Sequence, residues 1–313
     1  MSVLYLLLGF AVLFAGGELL VKGAAGLALR AKIAPMVVGL TVVSLGTSAP
    51  ELFAALQAAT MDKADISVGT VVGSNIANLA LVLAVTVLIF PIPVERKVLK
   101  LDWPMMMLAT VIFYLFGMDG ELGLLNGVTF VILLVAFTSY LIIRSLRKKG
   151  PQNDDDDDSM LKNARYNWFM LGFFVIGGCV GLYFGSEWFL RGAVSIAGQF
   201  GVSDHVIGVT VVAFGTSVPE LAASGIAALR RQTDISLGNL IGSNIFNILG
   251  VLGVTSIITP LGVSGQVLFR DYFWMVGVSL LLFPIVFFGK KISRLNGITL
   301  LSIYILYVYL LVF

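Results

Sequence analysis

Residues 18–102 and 187–271 are one unit written twice. Adding 169 to a residue number takes Glu18 to Glu187, Gly23 to Gly192, Gly39 to Gly208, Glu51 to Glu220, Asp65 to Asp234 and Gly69 to Gly238. It also takes Gly73-Ser74-Asn75-Ile76 to Gly242-Ser243-Asn244-Ile245, Asn78 to Asn247, Pro91 to Pro260 and Asp102 to Asp271, with no gap. Agreement over that length identifies a duplication. Every motif therefore has to be read together with its copy.

The hydrophobic fraction is 58%, charged residues are 12%, and mean hydropathy is +0.98. That balance belongs to an integral membrane protein. Apolar segments fall at 3–28, 35–59, 65–90, 103–118, 123–144, 166–198, 204–228, 234–259, 272–289 and 295–313. At about 20 residues per spanning helix, these are ten spans, five per copy. Five is odd, so the second copy has to enter the membrane from the opposite side. The predicted fold is an all-α membrane protein with ten transmembrane helices. They form two inverted-topology five-helix repeats with broken central helices, the architecture of secondary transporters. The first repeat covers 1–146, with its motif at 39–78, and the second covers 166–313, with its motif at 208–247. Between them, 147–165 holds Lys148, Lys149 and the run Asp154 to Asp158, which reads as a solvated linker. A regulatory Ca²⁺ site in the five aspartates is the rival reading, but they lack the spaced ligands and turn glycine of a calcium loop.

With the N-terminus outside, sixteen of the twenty Lys and Arg residues fall in inside loops, and only Lys63 and Arg270 fall outside. That bias predicts a multi-pass protein of the cell membrane with both termini extracellular and the 147–165 linker cytoplasmic. The apolar N-terminus starts at Val3 with no basic region before it, so it reads as the first span and not as a cleaved signal. The net charge of +2 gives no footprint for nucleic acid. Cys179 and His205 are each the only residue of their type. An internal disulfide and a multi-histidine metal site are thereby excluded. No Ser–Lys pair is evident at depth, so an intramembrane enzyme lacks its parts. A channel is the remaining rival; channels usually assemble around an axis between subunits, whereas this chain carries its own inverted pair.

The chemistry concentrates in Gly39-Leu-Thr-Val-Val-Ser-Leu-Gly-Thr-Ser-Ala-Pro-Glu51 and its copy Gly208-Val-Thr-Val-Val-Ala-Phe-Gly-Thr-Ser-Val-Pro-Glu220. A carboxylate at membrane depth costs about 2.5 kcal/mol or more, so it needs partners or a task. Pro50 and Pro219 supply no N–H and so leave a backbone carbonyl unpaired. Thr47, Ser48, Thr216 and Ser217 add hydroxyls. Carbonyls, hydroxyls and carboxylates are the hard oxygen ligands that Ca²⁺ and similar cations take. The bland alternative is a structural acid paired with a base, yet no Lys or Arg lies within the broken segments.

In the second stretch, Ser74 and Asn78 share a helix face, as do Ser243 and Asn247. Gly69 and Gly73 have the spacing of a close helix contact, which can coexist with a ligand role for the Ser and Asn. Asn75 and Asn244 divide between ligands and helix-to-helix hydrogen bonds. Glu18 with Lys22, and Glu187 with Arg191, are i,i+4 pairs that neutralise themselves. Asp102 and Asp271 begin spans, where a helix N-terminus favours an acid. Tyr304, Tyr307 and Tyr309 read as lipid-facing and interfacial.

The paired Gly-Thr-Ser-x-Pro-Glu and Gly-Ser-Asn-Ile motifs resemble the α-repeats of the Na⁺/Ca²⁺ exchangers of the cation/Ca²⁺ exchanger superfamily. The likeness is to the short prokaryotic members. The resemblance implies a secondary antiporter without a cofactor, in which three Na⁺ exchange for one Ca²⁺. It implies Ca²⁺ ligands at Glu51, Glu220 and the carbonyls of Thr47 and Thr216. It implies Na⁺ sites drawing on Ser44, Ser48, Ser74, Ala213, Ser217 and Ser243, with Asn78 and Asn247 lining the centre. Some members carry Asp where this chain has Asn247; in the K⁺-dependent branch that acid accompanies K⁺ transport, so K⁺ dependence is the weaker expectation. The H⁺-coupled branch usually has a different first motif. The chain is expected to act as a monomer, with Na⁺, Ca²⁺ and lipid as its partners. Spans one and six are expected to slide over a fixed four-helix core, with Gly16-Gly17 and Gly177-Gly178 permitting close, smooth contact.

Overall fold

The computed structural model describes residues 1–61, 64–94, 96–147, 166–200, 213–289 and 291–312. The 148–165 linker with its five aspartates, His205 and the Gly208 end of the second motif lie outside the described residues.

Among the described residues the fold is helical, apart from four strands of two residues each. Eight helices among the described residues are long and apolar enough to cross a membrane: Ser2–Ala31, Ser67–Ile89, Val98–Gly117, Leu124–Arg147, Trp168–Gln199, Thr233–Ile258, Val267–Phe288 and Arg294–Leu311. A bent pair, Pro35–Thr47 and Ala49–Thr60, makes a ninth span if counted as one. The shorter apolar helix Val218–Leu229 occupies the second half of the predicted 204–228 span. The predicted span at 272 starts earlier, at Val267, because a π-helical stretch, Val267–Asp271, runs straight into the helix Tyr272–Phe288.

Proline sets the breaks. Phe90 (φ −141°, ψ 115°) and Thr259 (φ −146°, ψ 129°) are extended and end their helices. Each precedes a proline, whose ring crowds an α-helical neighbour. Ser48 (φ −88°, ψ 4°) and Ser217 (φ −89°, ψ 4°) interrupt the two motif helices with matching geometry, and a new helix starts directly after each. Pro50 and Pro219 fall in the first turn of that new helix, where a missing N–H is tolerated. In the first copy the two pieces bend by 43°.

The chain divides into two compact units, and neither is a sequence repeat. The first comprises residues 1–47 and 137–240. Its spine is the antiparallel pair Ser2–Ala31 and Trp168–Gln199, packed backbone to backbone. A Cβ added to Gly16 would lie 2.8 Å from Leu182 N, one on Gly178 2.6 Å from Leu20 N, and one on Gly185 2.7 Å from Leu13 N. These glycines therefore bind the two long helices to each other, which is a different use from the smooth sliding contact expected of Gly16 and Gly178. Gly17 instead faces Ile226 and Ala222 of the helix Val218–Leu229, and a Cβ on Gly177 would meet nothing within 4 Å among the described residues. Leu13, Leu20, Val38, Val43, Leu182, Val218 and Ile226 fill the apolar core of this unit.

The second unit comprises residues 48–136 and 241–313. Two short antiparallel ladders tie it together: Ile92–Pro93 pairs with Lys291–Ile292, and Glu121–Leu122 with Leu261–Gly262. The first strand of one copy thus pairs with the second strand of the other, and the reverse. Trp103 Nε1 donates to the Ser279 carbonyl at 2.8 Å.

Burial runs against the order of a soluble protein. In Ser67–Ile89 and Thr233–Ile258 the apolar windows are 72% and 78% buried, and in the other six spans 17 to 33%. The two helices with the Gly-Ser-Asn-Ile motif are the interior ones. Phe10, Phe53, Phe169 and Phe288 are among the side chains left for lipid.

Three local expectations need correction. Glu18 pairs with Arg230 at 2.8 Å and not with Lys22. The Lys22 ammonium lies 4.8 Å from the Tyr166 ring centre and 5.2 Å from that of Phe174, so cation–π contact replaces the i,i+4 pair. Asp271 sits inside a continuous helical span and binds Arg270 at 2.8 Å, so it caps no helix. Tyr307 is buried against Trp274 and faces no lipid. Glu187 does pair with Arg191 as read.

Candidate cation site

Each unit collects polar motif residues from both copies. In the first unit the helical turn Ser44–Thr47 packs on the helix Val218–Leu229, bringing Ser44 and Thr47 to the side of the second copy that holds Thr216, Ser217 and Glu220. In the second unit the helix Ala49–Thr60, carrying Glu51 just after Ser48, packs on Ala64–Ala77 and on the π-helix Asn247–Leu252. That places Glu51 on a helix beside those of Ser74, Asn78 and Asn247. Ser44, Thr47, Ser48, Glu51, Ser74, Asn78, Ser217, Glu220, Ser243 and Asn247 are all buried, and Thr216 is half-buried. Ala213 opens the turn Ala213–Thr216.

Local structure explains how a buried acid is tolerated. Glu51 and Glu220 each occupy the first turn of a helix begun after the Ser break. There the aligned peptide dipoles present a partial positive charge, worth about 0.3–1 kcal/mol to an anion and more in a partly buried setting. The Ser44 hydroxyl donates back to the Leu40 carbonyl at 2.8 Å, so its oxygen presents only lone pairs to anything else. Among the described residues, no group of three or more His, Cys, Asp or Glu gathers.

The centre of the second unit is a reciprocal amide lattice. Asn75 Nδ2 donates to the Asn244 carbonyl at 3.3 Å, and Asn244 Nδ2 donates to the Asn75 carbonyl at 3.2 Å. The same amides reach Met275 and Met106 sulfurs at 3.6 and 3.8 Å. Asn78 Nδ2 donates to Asn244 Oδ1 at 3.2 Å, and Asn247 Nδ2 to Asn75 Oδ1 at 3.1 Å. For Asn75 and Asn244 this geometry selects the helix-to-helix bond of the two readings. The Oδ1 atoms of Asn78 and Asn247, and Ser217 Oγ, are buried without a hydrogen-bond partner among the described residues. Asn78 and Asn247 also open π-helical stretches, Asn78–Val82 and Asn247–Leu252, a widening often found at functional sites.

The glycine contact is visible in the second copy only. Gly238 packs on Gly39, where a Cβ on Gly39 would meet the Ile235 carbonyl at 2.6 Å. Gly69 and Gly73 have nothing within 4 Å of an added Cβ among the described residues, and the counterpart of Gly39, Gly208, lies outside them.

The sequence reading missed Asn239. It lies at the offset position of Thr70, accepts from Thr47 Oγ1 at 3.1 Å and donates to Ser224 Oγ at 2.9 Å. Ser236 Oγ adds a bond to the Ser224 carbonyl at 2.9 Å. Ser224 corresponds to Ala55, so this tether of Thr47 breaks the symmetry of the duplication. The available signal was a polar side chain at depth in an apolar helix. Thr86 and Thr255, also related by the offset, carry buried hydroxyls without a hydrogen-bond partner among the described residues.

Residues 1–143 and 170–313 match the family described as sodium/calcium exchanger protein. The chain is 38% identical to CaxA of Alkalimonas amylolytica, over 99% of this chain and 98% of that one. It is 32% identical to the sodium/calcium exchanger MaX1 of Methanosarcina acetivorans, over 98% and 97% of the two chains. The solved structure of the sodium-calcium exchanger NCX_Mj soaked with zero Na⁺ and Ca²⁺ superposes with a TM-score of 0.82 at 34% identity, covering 99% of this chain and 98% of that one.

Proposed function

Because the chain belongs to the sodium/calcium exchanger family, we propose that it moves Ca²⁺ across the cell membrane against three Na⁺ by alternating access. As a multi-pass cation/Ca²⁺ antiporter it performs no covalent step. Its transported ions are Na⁺ and Ca²⁺, and it takes no cofactor. The observation that carries the site reading is the pair of buried, acceptor-only oxygens of Asn78 and Asn247. A desolvated carbonyl oxygen costs about 1–3 kcal/mol unless a donor or cation meets it.

Glu51 and Glu220 supply the negative charge for Ca²⁺, and the Thr47 and Thr216 carbonyls complete its shell. Na⁺ uses Ser44, Ser48, Ser74, Ala213, Ser217 and Ser243, some through backbone oxygen. Shared oxygens make the two occupancies exclusive. Without a cation the site would carry two carboxylates through low dielectric, so return without a load is slow and the fluxes stay coupled. The ten helices form two inverted repeats, with both termini outside, the 147–165 linker cytoplasmic and the chain monomeric. Spans one and six move as one body; the glycine seam between Ser2–Ala31 and Trp168–Gln199 supports this.

The test is radiolabelled Ca²⁺ uptake into proteoliposomes loaded with Na⁺. Three-for-one exchange carries one positive charge out per Ca²⁺ taken in. Inside-positive potential therefore drives uptake, by about 2.3 kcal/mol per 100 mV. Uptake indifferent to potential would refute the stoichiometry, and uptake sustained by a K⁺ or H⁺ gradient in place of Na⁺ would favour the other branches of the superfamily.

A further inference from the structure

We propose that Asn75 and Asn244 are positioning residues that orient the cation-facing oxygens of Asn78 and Asn247, each acting across to the opposite repeat. The proposal rests on the reading that Asn78 and Asn247 ligate the transported ion.

Two atoms in the lattice cannot change role. A backbone carbonyl only accepts, so the bond to the Asn244 carbonyl fixes which end of the Asn75 amide is nitrogen. Its Oδ1 then points at Asn247, where only the Nδ2 end of that side chain can meet it. Flipping Asn247 would set two acceptors against each other. The Asn247 oxygen is thereby turned away from the lattice, and it is this oxygen that lies buried without a hydrogen-bond partner among the described residues. The mirrored chain runs from the Asn75 carbonyl through Asn244 to Asn78. Two backbone carbonyls thus decide the direction of two side-chain oxygens, through one intermediate amide each. Both links cross between the copies: Asn75 of the first sets Asn247 of the second, and Asn244 sets Asn78.

A residue that merely holds two helices together would weaken both repeats alike. The relay predicts a crossed pattern, which double-mutant cycles can read. N75A is expected to raise the KM for Ca²⁺ by about 10-fold, the scale of one lost buried hydrogen bond. In an N247A background, N75A adds less than about 2-fold, because the group it orients is gone. In an N78A background it adds its full effect. Uptake kinetics into Na⁺-loaded proteoliposomes give the values. Full multiplication of N75A with N247A overturns the positioning role while leaving Asn247 a ligand. An N247A variant with unchanged KM for Ca²⁺ and unchanged Na⁺ dependence removes the ligand reading itself, and this proposal with it. The mirrored cycle, N244A with N78A and N247A, asks the same question of separate proteins should N75A fail to fold.

Discussion

Replacing Glu51 with Gln lowers Na⁺-driven Ca²⁺ uptake by about 100-fold or more and leaves a folded protein. The side chain is fully buried in the first turn of Ala49–Thr60. Gln keeps its shape and removes its charge. A cation at that depth then loses a compensating carboxylate, an interaction on the order of 3 kcal/mol, and each 1.4 kcal/mol is tenfold. Stability should hold or rise, since a buried charge is costly by itself. Uptake within about 2-fold of the parent, in protein that elutes as one sharp peak, would remove Glu51 from the site. The same logic covers Glu220, whose helix starts with the same backbone angles.

The second large effect concerns the helix pair and not the ligands. Gly178→Ala lowers the apparent Tm in detergent by several degrees, corresponding to about 1–3 kcal/mol of overpacking, and slows exchange. Its added carbon would lie 2.6 Å from Leu20 N, and backbone cannot swing aside as a side-chain tip can. Gly177→Ala is the internal control: one residue away, its carbon meets nothing within 4 Å among the described residues, and the change stays within about 0.5 kcal/mol. Equal Tm values for the two variants would show that the seam does not hold the long helices together.

The contrast between Gly177 and Gly178 shows where reading the chain reaches its end. Proline chemistry is local, so the breaks at Ser48 and Ser217 and the stops at Phe90 and Thr259 could be placed from residue order alone. The offset of 169 likewise turned one motif into a pair. Which glycine of a doublet faces a neighbour depends on helix rotation, and that is set by packing. Glu18 illustrates a second limit. A base four residues away was visible, but the partner it takes is Arg230, 212 positions along the chain. The π-helical starts at Asn78 and Asn247 were also hidden, because a change from i+4 to i+5 pairing leaves no mark in composition. The amide lattice lay half in view: Asn75 and Asn244 were seen as polar residues at depth, and only their mutual distances distinguish a bond between helices from a bond to an ion. Asn239 was passed over because its counterpart is Thr70, and attention to the duplication favours what both copies share.

The proposed exchange requires that Na⁺ and Ca²⁺ compete for one set of buried oxygens and never fill it together. Equilibrium binding of radiolabelled Ca²⁺ to the purified protein, with Na⁺ raised stepwise at constant ionic strength and K⁺ as control, addresses that claim without any transport step. The expected result is complete displacement of bound Ca²⁺ by Na⁺, with a Hill coefficient above one, and none by K⁺. Ca²⁺ that stays bound at saturating Na⁺, or that leaves equally in K⁺, would contradict it.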